Sequence, residues 1–221
     1  MRNNVLTKGT DCRDQFQSAY ENRYTWPKGF AGYKGKCSFK QGVQKFLGNF
    51  ELGKDFKATI SSIEDESIQK IISSQLWEVA IHRVNRPFEQ VHGQNTFTIG
   101  DTNLVGMEVL VGGKNSGDRY RIKNNIVTMV YRNIHGSIFN IFTKTVTSTA
   151  NGYISNIYTS QSTCPTTGKP LIGKKTISDV FIPLEDEGPW VLSERVIETS
   201  PFNNIPASMQ SFYFFDLNKF D

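Results

Sequence analysis

Cysteine and histidine are both scarce in this 221-residue chain, with three of each. Cys12, Cys37 and Cys164 are an odd number at spacings that build neither a disulfide framework nor a zinc knuckle, so they read as free thiols of a reducing compartment. His82, His92 and His135 form no pair at metal-ligand spacing, and no metal is expected. No window holds eighteen consecutive apolar residues, and the opening MRNNVLTKGTDCRDQF lacks an apolar stretch of secretory length. The expectation is a soluble cytoplasmic protein with no integral membrane segment. A G-x-S-x-G elbow is absent, which removes the commonest setting for a serine nucleophile. The run GGKNSG at 112–117 lacks Walker spacing and leads into a strand-like segment, so it is a hairpin loop. Nothing repeats at a fixed period, which excludes propellers and solenoids.

Net charge is only +4, yet it is uneven: residues 1–50 carry nine Lys or Arg against three Asp or Glu. A face bearing Arg13, Arg23, Lys28, Lys34, Lys36, Lys40 and Lys45 would suit an anionic partner, and RNA binding through this region is one alternative function. Nucleic-acid modules carry a more basic domain and base-stacking motifs. Neither is present, and a solvated strand face is the simpler reading. No nucleic-acid partner is expected.

What the chain has in quantity is aromatics. The stretch AYENRYTWPKGFAGY at 19–33 holds Tyr20, Tyr24, Trp26, Phe30 and Tyr33, each able to remove roughly 150–250 Å² from water. So dense a group outside a regular element must be buried against something, and a plug on a β-sheet is expected. With Arg23, these five are the candidate ligand- or partner-binding residues.

Thr10 or Asp11 can cap a helix over 11–24, with Cys12, Phe16, Ala19, Tyr20 and Tyr24 on one face, ended by Pro27 and Gly29. From Tyr33 the apolar period changes to two, predicting a three-stranded meander over 33–60. A second helix is expected over 64–84, with Glu64, Asp65 and Glu66 at its positive end and Ile68, Ile71, Ile72, Gln75, Leu76, Val79, Ala80 and Arg83 at helical spacing. Beyond it, segments at 95–99, 106–111, 119–123, 126–134, 137–149, 153–163, 171–183, 190–198 and 208–217 are strand-like and separated by turn residues. Short turns force antiparallel neighbours. Strands this long twist, and a sheet this large curls. The fold class is therefore α+β, mainly β: one strongly curved antiparallel meander sheet, a half-barrel or barrel, with two helices on its concave side. Residues 1–221 are expected to form a single domain.

The segments AYENRYTWPKGFAGYKGK (19–36), SIEDE (62–66), HRVNRPFEQVHGQNTFTIGDT (82–102) and NGYISNIYT (151–159) resemble the pattern of an uncharacterised domain-of-unknown-function family of cyanobacteria and plastids. The likeness runs from about residue 14 to 217. It implies a cyanobacterial cytosol or plastid stroma and no established activity. The element order is also similar to that of periplasmic lipoprotein carriers, an analogy of fold alone.

One constellation offers chemistry: His92 follows a proline break and would face a pocket with Glu89, Arg83 and Arg86. A single histidine beside a carboxylate is common in bridging loops. His82 reads as a helix-end cap and His135 as a hairpin turn. Cys164, before Pro165, is the one candidate exposed thiol. The function expected is non-enzymatic: holding a hydrophobic small molecule, such as a pigment, lipid or isoprenoid, or a photosynthetic partner protein, with no obligate cofactor. The alternative is an enzyme acting on a tetrapyrrole or lipid through His92, Glu89 and Arg86.

Overall fold

The computed structural model describes residues 11–220. Its elements follow as α1 (Cys12–Glu21), β1 (Tyr33–Gln41), β2 (Gln44–Leu52), β3 (Ala58–Ser61), α2 (Glu66–Arg83), α3 (Phe88–His92), β4 (Asn95–Asn103), β5 (Gly106–Gly113), β6 (Arg119–Lys123), β7 (Ile126–Ile134), β8 (Ser137–Thr149), β9 (Gly152–Thr163), β10 (Lys175–Pro183), β11 (Trp190–Thr199) and β12 (Ser208–Lys219). The twelve strands make one sheet, ordered β3-β2-β1-β12-β11-β10-β9-β8-β7-β6-β5-β4, which curls without closing.

From β4 to β12 each strand pairs with its successor. The turns Asn124-Asn125 and His135-Gly136 hold positive φ at both residues, the twist that tight hairpins need. The step the sequence did not announce is the pairing of β1 with β12, with Cys37 opposite Phe214 and Phe39 opposite Phe212. It grafts the first meander onto the last strand and makes β3 and β4 the two edges. The chain from 62 to 94 must therefore cross from one edge to the other. In a flat sheet those edges would stand about 53 Å apart, whereas the eighteen residues of α2 span about 27 Å. Curling brings them within reach, and the helices lie across the concave side.

Two hydrophobic clusters fill that side. Under α2, Ile72, Leu76, Val79 and Ala80 meet Phe39, Phe50, Leu192, Phe212 and Phe214. Under α1 and α3, Phe16, Ala19 and Phe88 meet Val109, Val111, Tyr120, Ile122 and Val127.

Four local expectations change. Helix α1 ends at Glu21 rather than at 24, because Asn22 and Tyr24 take up backbone hydrogen bonds with β9: Tyr24 N–H donates to the Tyr153 carbonyl (2.8 Å), and Tyr153 N–H to that of Asn22 (2.9 Å). Gly152 permits this approach, since its φ is +114° and a Cβ there would strike the Asn22 carbonyl. Asp11 is the residue before α1 but makes no side-chain cap; Thr10, the other candidate cap, lies outside the described residues. Helix α3 replaces an expected loop, so there are three helices instead of two. Helix α2 starts at Glu66, two residues after the expected 64, where Asp65 accepts from the Ser67 hydroxyl and from the N–H groups of Ser67 and Ile68, which keep its carboxyl below the usual range.

Candidate functional site

The aromatic plug ties the two ends of the chain's opening segment to the sheet. Tyr24, Trp26 and Tyr33 are buried, while Tyr20 and Phe30 are half-buried. Trp26 Nε1 donates to the Trp190 carbonyl (2.9 Å), and Trp190 N–H donates to the Tyr24 hydroxyl oxygen (2.9 Å). The Trp26 ring packs on Phe30, Tyr33 and Phe56. Arg23 stacks over Tyr20 at 3.8 Å and donates from Nε to the Tyr20 carbonyl (2.8 Å).

The structure does not bring His92, Glu89 and Arg86 to one cleft. His92, at the end of α3, is buried in an aromatic box of Phe16, Tyr20, Phe88, Phe97 and Tyr120. Asn115 N–H donates to Asn95 Oδ1, so the Asn95 amide nitrogen is the group facing His92 Nδ1 (3.1 Å). That fixes a neutral ring with its proton on Nε2. Burial, then the cations Arg132, Arg23 and Arg13, push His92 down to about 4. Glu89 is exposed and pairs instead with Arg13 (2.6 Å). Arg86 is exposed, and its carbonyl accepts from the Tyr20 hydroxyl (3.1 Å). His82 is exposed on the last turn of α2 and His135 sits in the β7–β8 turn. Cys12 and Cys37 are buried, and burial raises both thiols. At Cys164 the Thr167 hydroxyl and the N–H groups of Thr166 and Thr167 lower the thiol. Among the described residues no three His, Cys, Asp or Glu side chains converge as metal ligands.

A polar cluster that the sequence did not single out lies beneath α2. Asp179 on β10 and Arg195 on β11, directly opposite each other, are both 2% exposed at the side chain and joined by two 2.7 Å bonds. Arg195 also donates to Gln75 Oε1 (3.2 Å) and to the Tyr158 hydroxyl oxygen (3.1 Å), and its Nη1 lies 3.3 Å from Glu78. Burial pulls the Arg195 guanidinium down, but Tyr158, Asp179 and Glu78 outweigh it and hold the group above its usual value. Burial lifts Asp179, with Arg195 pulling the other way. Two short bonds to a guanidinium keep the pair ionic at neutral pH. The sequence did carry a signal: Asp179 is in phase with buried Ile177 and Phe181, and Arg195 with Ile197.

Strand β8 stands in the middle of the sheet, yet it is the one strand among the described residues without a buried side chain. Residues directly opposite across strands share a face. Ile141 opposes Val130, which packs against the α1–α3 cluster, and Phe139 follows two residues earlier on the same face. Ile141 and Phe139 are half-buried and belong to neither core cluster. The result is an apolar seam over β8, between α2 on one side and α1 with α3 on the other. Two surface hollows, of about 550 Å³ beside Lys174 and Met209 and about 360 Å³ beside Lys34 and Leu217, lie at opposite ends of β10–β12 and away from the seam.

The basic residues of the opening segment do not share one face. Arg13 pairs on α1 with Glu89, Arg23 stacks on the plug, Lys36 pairs with Asp216 (2.9 Å), and Lys40 and Lys45 are exposed opposite each other on β1 and β2. No helix of the described residues is long and apolar enough to cross a membrane.

Among solved structures, a LolA superfamily protein from Nitrosomonas europaea overlaps this chain with a TM-score of 0.38 at 8% identity, covering 96% of this chain and 95% of that one. A DUF1329 family protein from Desulfovibrio piger gives 0.31 at 11%, covering 95% and 94%. The Pseudomonas aeruginosa MucA/MucB complex gives 0.24 at 8%, covering 92% and 93%. Overlap at this level says nothing about ligand or activity. No curated protein matches the chain. Residues 7–220 match the model of a family described as a protein of unknown function (DUF3386), and the chain belongs to that family.

Proposed function

We propose that this protein is a non-enzymatic binding protein that holds a hydrophobic small molecule in the seam over β8. The observation that carries the reading is a central strand with no buried side chain. A strand with seven strands on one hand and four on the other would ordinarily lie in the densest part of the core, and leaving Phe139 and Ile141 half-wet forgoes that burial. A ligand laid along the seam would recover it, in a site of the usual kind: apolar, flanked by a few placed polar groups. The plug residues Tyr24, Trp26, Phe30 and Tyr33 act as its support, while Tyr20 and Arg23 stand closer to solvent. The absence of a converged His92, Glu89 and Arg86 set favours binding over the enzyme reading. The family resemblance of the motifs at 19–36 and 82–102 supports a phototroph setting, and the free thiols suit the reducing cytosol or stroma. A pigment, lipid or isoprenoid is the class of ligand that matches.

The test uses the neutral dye N-phenyl-1-naphthylamine. Wild-type protein is expected to bind it with enhanced fluorescence, and Phe139→Ser with Ile141→Ser to weaken binding at least tenfold while the melting temperature moves by a few degrees. Absence of binding to the wild type, or undiminished binding to the double variant, sinks the reading. Binding lost only together with the fold would return β8 to the core.

A further inference from the structure

The last turn of α2 holds a second buried arginine, and unlike Arg195 it has no carboxylate bonded to it among the described residues. Arg83 is 8% exposed; its guanidinium lies over the Phe181 ring at 5.0 Å, and its Nε meets no hydrogen-bond acceptor. Among the described residues Arg83 forms no ion pair. Burial lowers it to about 10, so it remains a cation at neutral pH. A charge taken out of water without a partner is costly, and proteins rarely leave one so unless something else supplies the counter-charge. The neighbouring carboxylate does not: Asp179 is held by Arg195 through both oxygens. Arg23, also near Arg83 and likewise without a carboxylate among the described residues, adds to the imbalance. Three arginines, Arg23, Arg83 and Arg195, thus share two carboxylates, Asp179 and Glu78, leaving one positive charge in excess. The spot adjoins the seam, because Tyr158, close enough to act on Arg83 and bonded to Arg195, is opposite Thr143 on β8.

We infer that Arg83, with Arg23 beside it, receives the single negative charge of an amphipathic ligand: an apolar chain or ring system ending in one carboxylate. The inference rests on the seam being the apolar site and adds its polar end. The carboxylate would accept from the Arg83 guanidinium, which presents five donors in a planar fork, while the apolar body lies on Ile141 and Phe139. A monoanion balances the cluster, whereas a dianion would overcharge it.

Calorimetric titration with dodecanoate, dodecanol and dodecyl phosphate separates the parts. Wild-type protein is expected to bind dodecanoate at least tenfold more tightly than dodecanol, and Arg83→Met to bring the ratio near one. Because that variant replaces an unpartnered buried cation with an apolar chain, its melting temperature without ligand should hold or rise. Equal affinity of wild type for acid and alcohol overturns the anion site and leaves the apolar seam standing. Failure to bind either removes both. A preference for dodecyl phosphate overturns the single-charge assignment, and a fall in melting temperature on Arg83→Met shows that the guanidinium has a structural partner instead.

Discussion

The two halves of the concave side solve the same packing problem with different chemistry. Under α2 the core is aliphatic and aromatic, but it carries a buried ionic network around Arg195 and Asp179. Under α1 and α3 the core is a box of rings closed on a neutral histidine, with its one ion pair, the half-buried Arg132 on Asp118 (2.8 Å), at the margin among the described residues. A network of charges fixes geometry by directional bonds and fails badly when one member is lost. An aromatic box tolerates change in shape better, but it is sensitive to a proton. Arg83 stands on α2 over Phe181 of the half built on charge, which is why the polar end of a ligand is assigned to the α2 side.

The comparison can be broken most sharply at the ion pair. Arg195→Ala should cost about 3–5 kcal/mol in denaturant unfolding, because it strands Asp179. Arg195→Met combined with Asp179→Leu should recover most of the loss; a double variant no better than the single would mean that Gln75, Tyr158 and Glu78 depend on the pair.

In the other half, acid is the probe. His92 has an ordinary value of 6.5 when unfolded and about 4 in the fold, so the unfolded chain binds the extra proton. Its contribution is complete above pH 6.5 and drains away as pH falls from there toward 4, on the order of 3 kcal/mol in total. Stability measured against pH for wild type and His92→Phe should diverge below 6.5; parallel curves would place the proton elsewhere.

A smaller effect is expected where the plug meets the sheet. Gly152→Ala, at φ +114° and against the Asn22 carbonyl, should cost about 2 kcal/mol. No loss would mean that the Asn22–Tyr24 segment can lift away from β9. The smallest effect belongs to the seam itself: Ile141→Ala should cost about 1 kcal/mol, against 2–5 for a fully buried aliphatic such as Leu192. We further propose that residues 11–220 unfold as one unit, so thermal melting followed by tryptophan fluorescence and by far-UV signal should coincide; two separated transitions would split the halves.

Most of the architecture was legible because it is local. Alternating residues and two-residue turns such as Asn124-Asn125 define strands without reference to anything distant, and the helical spacing from Ile68 to Arg83 defines α2. Two things were not legible. Helix α3 is five residues long, too short for periodicity to register. The pairing of β1 with β12 is set by which apolar faces meet after collapse, and no local pattern encodes it. The site was harder still. Arg195 and Asp179 look like the polar half of an alternating strand until their phase is compared with Ile177 and Ile197. His92 drew attention as a reactive group, but its ring is packed as one more aromatic. Arg83 did stand in the apolar register of α2, although only the structure reveals that no carboxylate of the described residues bonds it.

The junction of β1 with β12 also sets an order of events during synthesis. Strands β4 to β12 can zip up in sequence as they leave the ribosome, each beside the one just made. The first meander has no edge to join until β12 exists, since Gln41 waits 169 residues for Gln210 and Tyr33 waits 186 for Lys219. Until then its row of aromatic side chains, with the plug ahead of them, must wait exposed, so newly made chains should depend on chaperones more than the finished protein does. Clipping β12 would orphan β1, β2 and β3 together, although they lie at the opposite end of the polypeptide.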